Sequence, residues 1–447
     1  MPTLLQRLAV PALCLAPWLT AAAVGDEAAA PAKTRPEMKR RIEALKERNS
    51  RLPLPALTEE QKAAGLRSVN NGRLRSLYLP ESWQSPRTGV PAANGRGPAP
   101  ALRLGDLAKA PDFAFKTRLF WIVSRTNDCQ YCLGHQELKL RRAGMAEDQI
   151  AALDSRWNVF PDDEQVAMRV TRLMTLTPHR VTDQDLASLK EHFSDAQVLD
   201  IIQTVAGYNS TNRWTASTGI PQDRSFGEES ADLDTPTSAE FASVETKVAP
   251  YDYQPRPAWE SRATVEAAMQ AAVDRQPLIV LPSATAASKL VAVDSPGTTP
   301  PVWFQAMSIN PQTALRTWKQ RQALVRDGKL DPLLRAQIAW VCAREDRAWY
   351  AAAHALARLQ GLGVTPEAAW STGEASSSAT PVEEAVLSFA RKLTSAPHTV
   401  TDDDIAGLRK LLSDHEVAEV IALICDANSF DRFTEMLRLP LEASLAG

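Results

Sequence analysis

Apolar residues along this chain recur at helical spacing. Leu119, Ile122 and Val123 fall at i, i+3 and i+4, and Phe120 and Trp121 thicken the same stripe. Val198, Ile201, Ile202 and Val205 form a second stripe, and Val417, Val420, Ile421 and Ile424 a third. Polar cap residues stand just ahead of periodic apolar positions. Thr182-Asp183 precedes Leu186 and Leu189, and Thr401-Asp402 precedes Ile405 and Leu408, so each pair marks a helix start. Alternation with period two is not sustained anywhere; the run Leu278 to Leu281 is strand-like but short. The pattern predicts an all-α protein.

The stripes also repeat as a block. Residues 118–221 align with 337–440 at a constant offset of 219 positions, with no gap. Trp121 pairs with Trp340, Arg125 with Arg344, Tyr131 with Tyr350 and His135 with His354. Further along, Gly144 pairs with Gly363, Glu164 with Glu383, Asn209 with Asn428 and Arg213 with Arg432. A register held that long predicts two tandem copies of one helical module, spanning 38–225 and 259–445. Residues 226–258, rich in Ser, Glu, Asp and Pro, read as the linker between them. Residues 86–100, rich in Pro, Gly and Ala, read as a surface loop.

Composition adds little to this picture but excludes some functions. With 50 basic and 53 acidic residues among 447, the formal charge is -3, so no global field draws nucleic acid or anionic lipid. The N-terminus reads as an export signal over residues 1–25. Arg7 supplies the positive end, Leu8 to Leu19 the apolar stretch, and Ala21, Ala22, Ala23 and Gly25 the small cleavage-like residues. The expectation is an exported protein, periplasmic or secreted, with no membrane span once the signal is removed.

Of five cysteines, Cys14 lies inside the signal and is expected to leave with it. Cys342 and Cys425 fall within apolar helices and read as small buried hydrophobes. Cys129 and Cys132 are the chemically loaded pair. Asn127 or Asp128 makes a good N-cap, which predicts a helix starting at Cys129 with both thiols in its first turn. There the positive end of the helix dipole favours thiolate. Spacing of three puts the two sulfurs on one face, close enough to pair reversibly, and His135 a turn further on is a candidate proton carrier. Haem attachment is excluded because Leu133, not His, follows the second cysteine. Zinc lacks a second nearby Cys/His cluster. The remaining alternative is an inert buried pair.

The segment Ser124-Arg125-Thr126-Asn127-Asp128-Cys129-Gln130-Tyr131-Cys132-Leu133-Gly134-His135, with Tyr208-Asn209-Ser210-Thr211-Asn212-Arg213 and Gly219-Ile220-Pro221 downstream, resembles the AhpD-like/carboxymuconolactone decarboxylase family. The resemblance implies an all-helical fold assembling into homo-oligomers. It implies a thiol peroxidase or disulfide reductase that acts on a peroxide or disulfide, needs no cofactor or metal, and is regenerated by a dithiol electron donor. By analogy Cys132 attacks and Cys129 resolves, whereas the helix dipole favours Cys129 as the thiolate. Two departures are plain. Thr117 stands where peroxidase members place a Glu, and Gln136 where they commonly place a His. The second copy has Ala348 and Ala351 in place of the cysteines and is expected to be structural. The rival readings are a non-catalytic helical assembly or binding module with a passive cysteine pair, and a lactone decarboxylase-like enzyme. The histidines His179 and His398, each after a proline, read as loop or cap residues, and Asn209, Asn212 and Arg213 as helix braces.

Overall fold

A computed structural model of the chain describes residues 31–63, 71–84, 113–154, 156–222, 235–242, 256, 258–292, 297–374 and 379–445. The expected signal and the Pro/Gly-rich loop lie outside the described residues, as does most of the expected linker. Every regular element among the described residues is helical. Leu278 to Leu281 is irregular: the Leu278 N–H donates to the Leu437 carbonyl at 2.9 Å, and Val280 is exposed. No described helix is long and apolar enough to cross a membrane.

An N-terminal helix, α1 (Arg35–Ala44), precedes two successive groups. The first holds α2 (Phe113–Thr126), α3 (Gln130–Arg142), α4 (Asp162–Leu176), α5 (Asp183–His192) and α6 (Asp195–Thr218). The second holds α7 (Pro332–Asp346), α8 (Trp349–Gly361), α9 (Pro381–Ser395), α10 (Asp402–Arg409) and α11 (Asp414–Met436). The bounds of α3 and α8 differ by 219 positions at both ends, as do those of α4 and α9. Local chemistry repeats with them. Thr182 and Thr401 cap α5 and α10, each accepting from an amide three residues on, and Asp185 and Asp404 reach back to complete capping boxes. Ser194 and Ser413 do the same for α6 and α11 with Gln197 and Glu416.

The two groups meet along α6 and α11, the longest helices described, and the seam is reciprocal. Arg213 on α6 donates Nη2 to the Thr394 carbonyl of α9 at 2.7 Å, and Arg432 on α11 donates Nη2 to the Thr175 carbonyl of α4 at 3.3 Å. Each arginine is also held on its own helix by an asparagine. Arg213 Nη1 donates to Asn209 Oδ1 at 3.2 Å and Arg432 Nη1 to Asn428 Oδ1 at 3.0 Å. All four side chains are buried. Residue i of one group meets residue j of the other and the reverse also holds, the pattern of a two-fold interface closed inside one chain.

One departure from this symmetry is repaired by the N-terminal segment. Arg438, past the end of α11, donates Nε to Asp183 at 2.9 Å and Nη2 to the Val181 carbonyl at 2.5 Å. The matching position after α6 is Gly219, which has no side chain to do this and adopts the same left-handed backbone (φ 59°, against 51° at Arg438). Arg51 takes over. It donates Nε to Asp402 at 2.5 Å and Nη2 to the Val400 carbonyl at 3.0 Å, the counterparts of Asp183 and Val181. A Cβ on Gly219 would stand 2.8 Å from Arg51 Cγ, so glycine both permits the turn and clears the space. Arg35 on α1 anchors the same segment through buried ion pairs with Glu137 on α3 and with Glu147 at the start of the short helix Glu147–Ala152 that follows it.

The second group carries more buried acid at the seam. Asp346 and Asp431 stand where the first has Asn127 and Asn212. Asp346 pairs with Arg432 at 2.7 Å, while Asp431 Oδ2 is buried without a partner. Burial, and then the neighbouring Asp346 charge, push the Asp431 carboxyl well above the usual range. A raised carboxyl pKa contributes stability that is whole below the unfolded value of about 4 and is lost as pH rises. Asp431→Asn is therefore expected to match wild type near pH 4 and to be more stable by about 1–3 kcal/mol at pH 8. Urea unfolding at the two pH values measures this; a variant less stable at pH 8 would show that Asp431 is ionised and paired.

Candidate thiol site

The turn between α2 and α3 sets the site. The Cys129 N–H donates to the Ser124 carbonyl at 2.8 Å, and Asp128 takes a left-handed backbone (φ 46°) to make the reversal. The cap expected at Asn127 or Asp128 is therefore one residue later: α3 begins at Gln130, and Cys129 itself is its N-cap. The cause is the left-handed Asp128, whose conformation cannot serve as a cap's extended backbone. Arg125 steadies Asp128 from 3.6 Å.

A buried amide network clamps this turn onto α6. Asn127 donates to Asn209 and to Asn212, each at 3.1 Å, and Asn212 donates to Ser124 at 3.2 Å. Asn209 in turn donates to Thr175 at 3.1 Å and accepts from the seam arginine Arg213. The expectation that Asn209, Asn212 and Arg213 brace helices agrees with these bonds, and the braced element is the thiol-bearing turn.

Cys129 and Cys132 converge on one hydroxyl. Thr215 Oγ1, on α6, lies 3.1 Å from the Cys129 sulfur and 3.2 Å from the Cys132 sulfur. Both cysteines are free thiols and both are buried, at 4% and 2% exposure. Their surroundings split them. For Cys129, burial raises the pKa, but the Cys132 thiol, the Thr215 hydroxyl and the Cys132 backbone N–H all favour its anion, and the net direction is down. For Cys132, burial and then the neighbouring Cys129 drive the pKa well up, against smaller help from Thr215 and Asn212. Desolvation alone moves a buried group by as much as 3–5 pH units, so a net fall at Cys129 requires several donors acting together. Of the two thiols, Cys129, the helix N-cap, has the better supported anion.

Thr215 was not singled out from sequence. It lies one turn beyond Asn212 on α6, the only signal for it, and Thr434 keeps the same type in the second group, which disguised it. The Thr215 hydroxyl also sits 3.0 Å from the Thr211 carbonyl and 3.2 Å from that of Asn212. With a single proton it donates to a carbonyl while both thiols are neutral, and rotates to donate to sulfur once one ionises.

His135 rests against Tyr131. Its Nδ1 is 2.9 Å from the Tyr131 carbonyl, and its ring lies 4.5 Å from the Tyr131 ring. His354 repeats the ring contact with Tyr350 at 4.7 Å, and its Nε2 lies 3.0 Å from Glu442. Thr117 donates to the Phe113 carbonyl and Gln136 to the Cys132 carbonyl, so neither supplies a titratable group beside the sulfurs. His179 lies 2.7 Å from Arg347 across the seam; burial, then Arg347, pull its pKa down to about 4. No group of three or more His, Cys, Asp or Glu side chains fit to hold a metal occurs among the described residues.

Thr215→Val removes one donor to the Cys129 anion while leaving the site buried. A hydrogen bond to a charged group contributes about 1.5–3 kcal/mol, so the pH midpoint for iodoacetamide alkylation of Cys129 is expected to rise by at least about one unit. A midpoint that stays put would remove Thr215 from the account.

Among known proteins, no family model matches this chain. A Bacillus subtilis (strain 168) protein described as the uncharacterized protein YdfG is 29% identical to it over 101 residues, covering 22% of this chain and 68% of that protein.

Proposed function

We propose that this protein is a thiol–disulfide oxidoreductase of the AhpD-like kind working through Cys129 and Cys132. The observation that carries the reading is the single Thr215 hydroxyl within hydrogen-bond distance of both sulfurs, at 3.1 and 3.2 Å, beside a helix N-terminus. That arrangement stabilises one thiolate and keeps a second thiol against it.

The direction of the pKa shifts favours Cys129 as the attacking sulfur, against the family analogy. The Cys129 thiolate attacks a substrate disulfide, forming a mixed disulfide and expelling one thiolate. Cys132 then gives up its proton to that leaving thiolate and attacks the Cys129 sulfur, expelling the second. The protein loses two electrons and the substrate gains two. An external dithiol reverses the change on the protein. The hydroxyl of Thr215 follows the negative charge from one sulfur to the other. Small exposure at both cysteines means that substrate reaches Cys129 only after local opening of whatever covers it.

Peroxide reduction is the second reading. The same thiolate can displace an alcohol from a hydroperoxide, leaving a sulfenic acid that Cys132 converts to the disulfide with loss of water. Thr117 and Gln136 offer no acid for the departing alkoxide, which favours disulfide substrates. The export reading fits this chemistry, because disulfides persist outside the cytosol. The thiol-free second group, with Ala348 and Ala351, supplies the partner surface within the chain, and the proposed assembly is a homo-oligomer of such chains.

Two variants test the assignment against a small-molecule disulfide with excess dithiol. Cys129→Ser is expected to abolish both turnover and the first, single-turnover release of thiol. Cys132→Ser is expected to abolish turnover while still releasing one thiol and trapping a mixed disulfide on Cys129, visible by mass spectrometry. Full turnover by Cys129→Ser would overturn the reading; trapping on Cys132 in that variant would restore the family's order of attack.

A further inference from the structure

Beyond the sulfurs, the same face of α3 carries Gln136 and Lys139, four and seven residues after Cys132, so the three side chains lie in one row. Gln136 is 2% exposed; its amide nitrogen donates to the Cys132 carbonyl, and its oxygen is buried without a partner. Exchanging the two amide atoms would set oxygen against the carbonyl, so the unsatisfied atom is the acceptor. Lys139 is half-buried and has no hydrogen-bond or ion-pair partner among the described residues. Burial lowers its pKa.

The second group shows what a satisfied version looks like. Arg358 occupies the position matching Lys139, and its Nη2 lies 3.5 Å from the Val325 carbonyl at the end of a helix, Pro311–Arg326, that precedes α7. Among the described residues, an ammonium and a buried acceptor without partners are thus left in line with the reactive pair. Two helical turns place the lysine about 10 Å along the axis from Cys132.

We propose that Lys139 and Gln136 form the recognition site for the substrate of this thiol pair, and that the substrate is a carboxylate-bearing peptide disulfide. The ammonium takes the carboxylate, and the glutamine oxygen accepts from an amide N–H lying between the carboxylate and the disulfide. The inference rests on the oxidoreductase reading above. It adds the substrate class.

The test compares glutathione disulfide with its ethyl ester, which keeps the sulfurs and amides but loses carboxylate charge. Wild type is expected to be oxidised faster by the acid than by the ester, with the difference shrinking as salt is raised. Lys139→Met is expected to lower the acid-to-ester rate ratio about tenfold, one 1.4 kcal/mol step, and Lys139→Arg to restore most of it. An acid-to-ester ratio near one in wild type, or one unmoved by Lys139→Met in a variant with unchanged circular dichroism, overturns the recognition site alone. Failure of both probes to oxidise wild type overturns the thiol reading beneath it.

Discussion

The packing of α6 against α11, with two buried guanidiniums exchanged across it, is the constraint on which the rest depends. Arg213 and Arg432 each leave their own helix to bind a carbonyl in the other group, and each is steadied by an asparagine one turn back. Burying two like charges this close is costly. Burial and then the Arg432 charge pull the pKa of Arg213 down to about 9. Removing one partner of such a network typically costs about 3–5 kcal/mol, because the groups left behind stay buried and unpaired. The seam therefore holds α6 in one rotational setting.

That setting decides the chemistry, because α6 also carries Asn209, Asn212 and Thr215. The same Asn209 that accepts from Arg213 accepts from Asn127, so the seam and the thiol turn share an atom. Rotation of α6 would move Thr215 away from both sulfurs and break the amide clamp together. The second group keeps this frame without the cysteines, which separates the two roles: Asn428 and Arg432 repeat the brace, while Ala348 and Ala351 leave nothing for Thr434 to activate.

Much of the helical frame was legible because it is local. Cap residues and apolar periodicity act within a turn or two, and helix starts in the second group follow those of the first at the 219-residue offset. The brace role was legible from the recurrence of Asn209 and Arg213 as Asn428 and Arg432, and Asn212, matched by Asp431, shares it. Long-range pairings were not. Nothing near Gly219 in sequence announces that Arg51 fills its place from 168 positions upstream. Thr215 looked like an ordinary helix residue because its meaning comes from two sulfurs on another helix. Cys129 as the cap, rather than Asp128, followed from a left-handed turn that spacing alone does not reveal. His135, spaced from the thiols as a candidate proton carrier, rests against Tyr131 by its ring and its Nδ1.

The central claim is that two nearly buried thiols remain chemically reachable in the folded protein and bond to each other. Peptide mapping after mild oxidation under native conditions, with free thiols blocked before and after a reducing step, tests it directly. The account predicts one reversible Cys129–Cys132 disulfide, with Cys342 and Cys425 still thiols. A pair that stays reduced until the protein is unfolded would contradict it and leave a helical scaffold with inert cysteines.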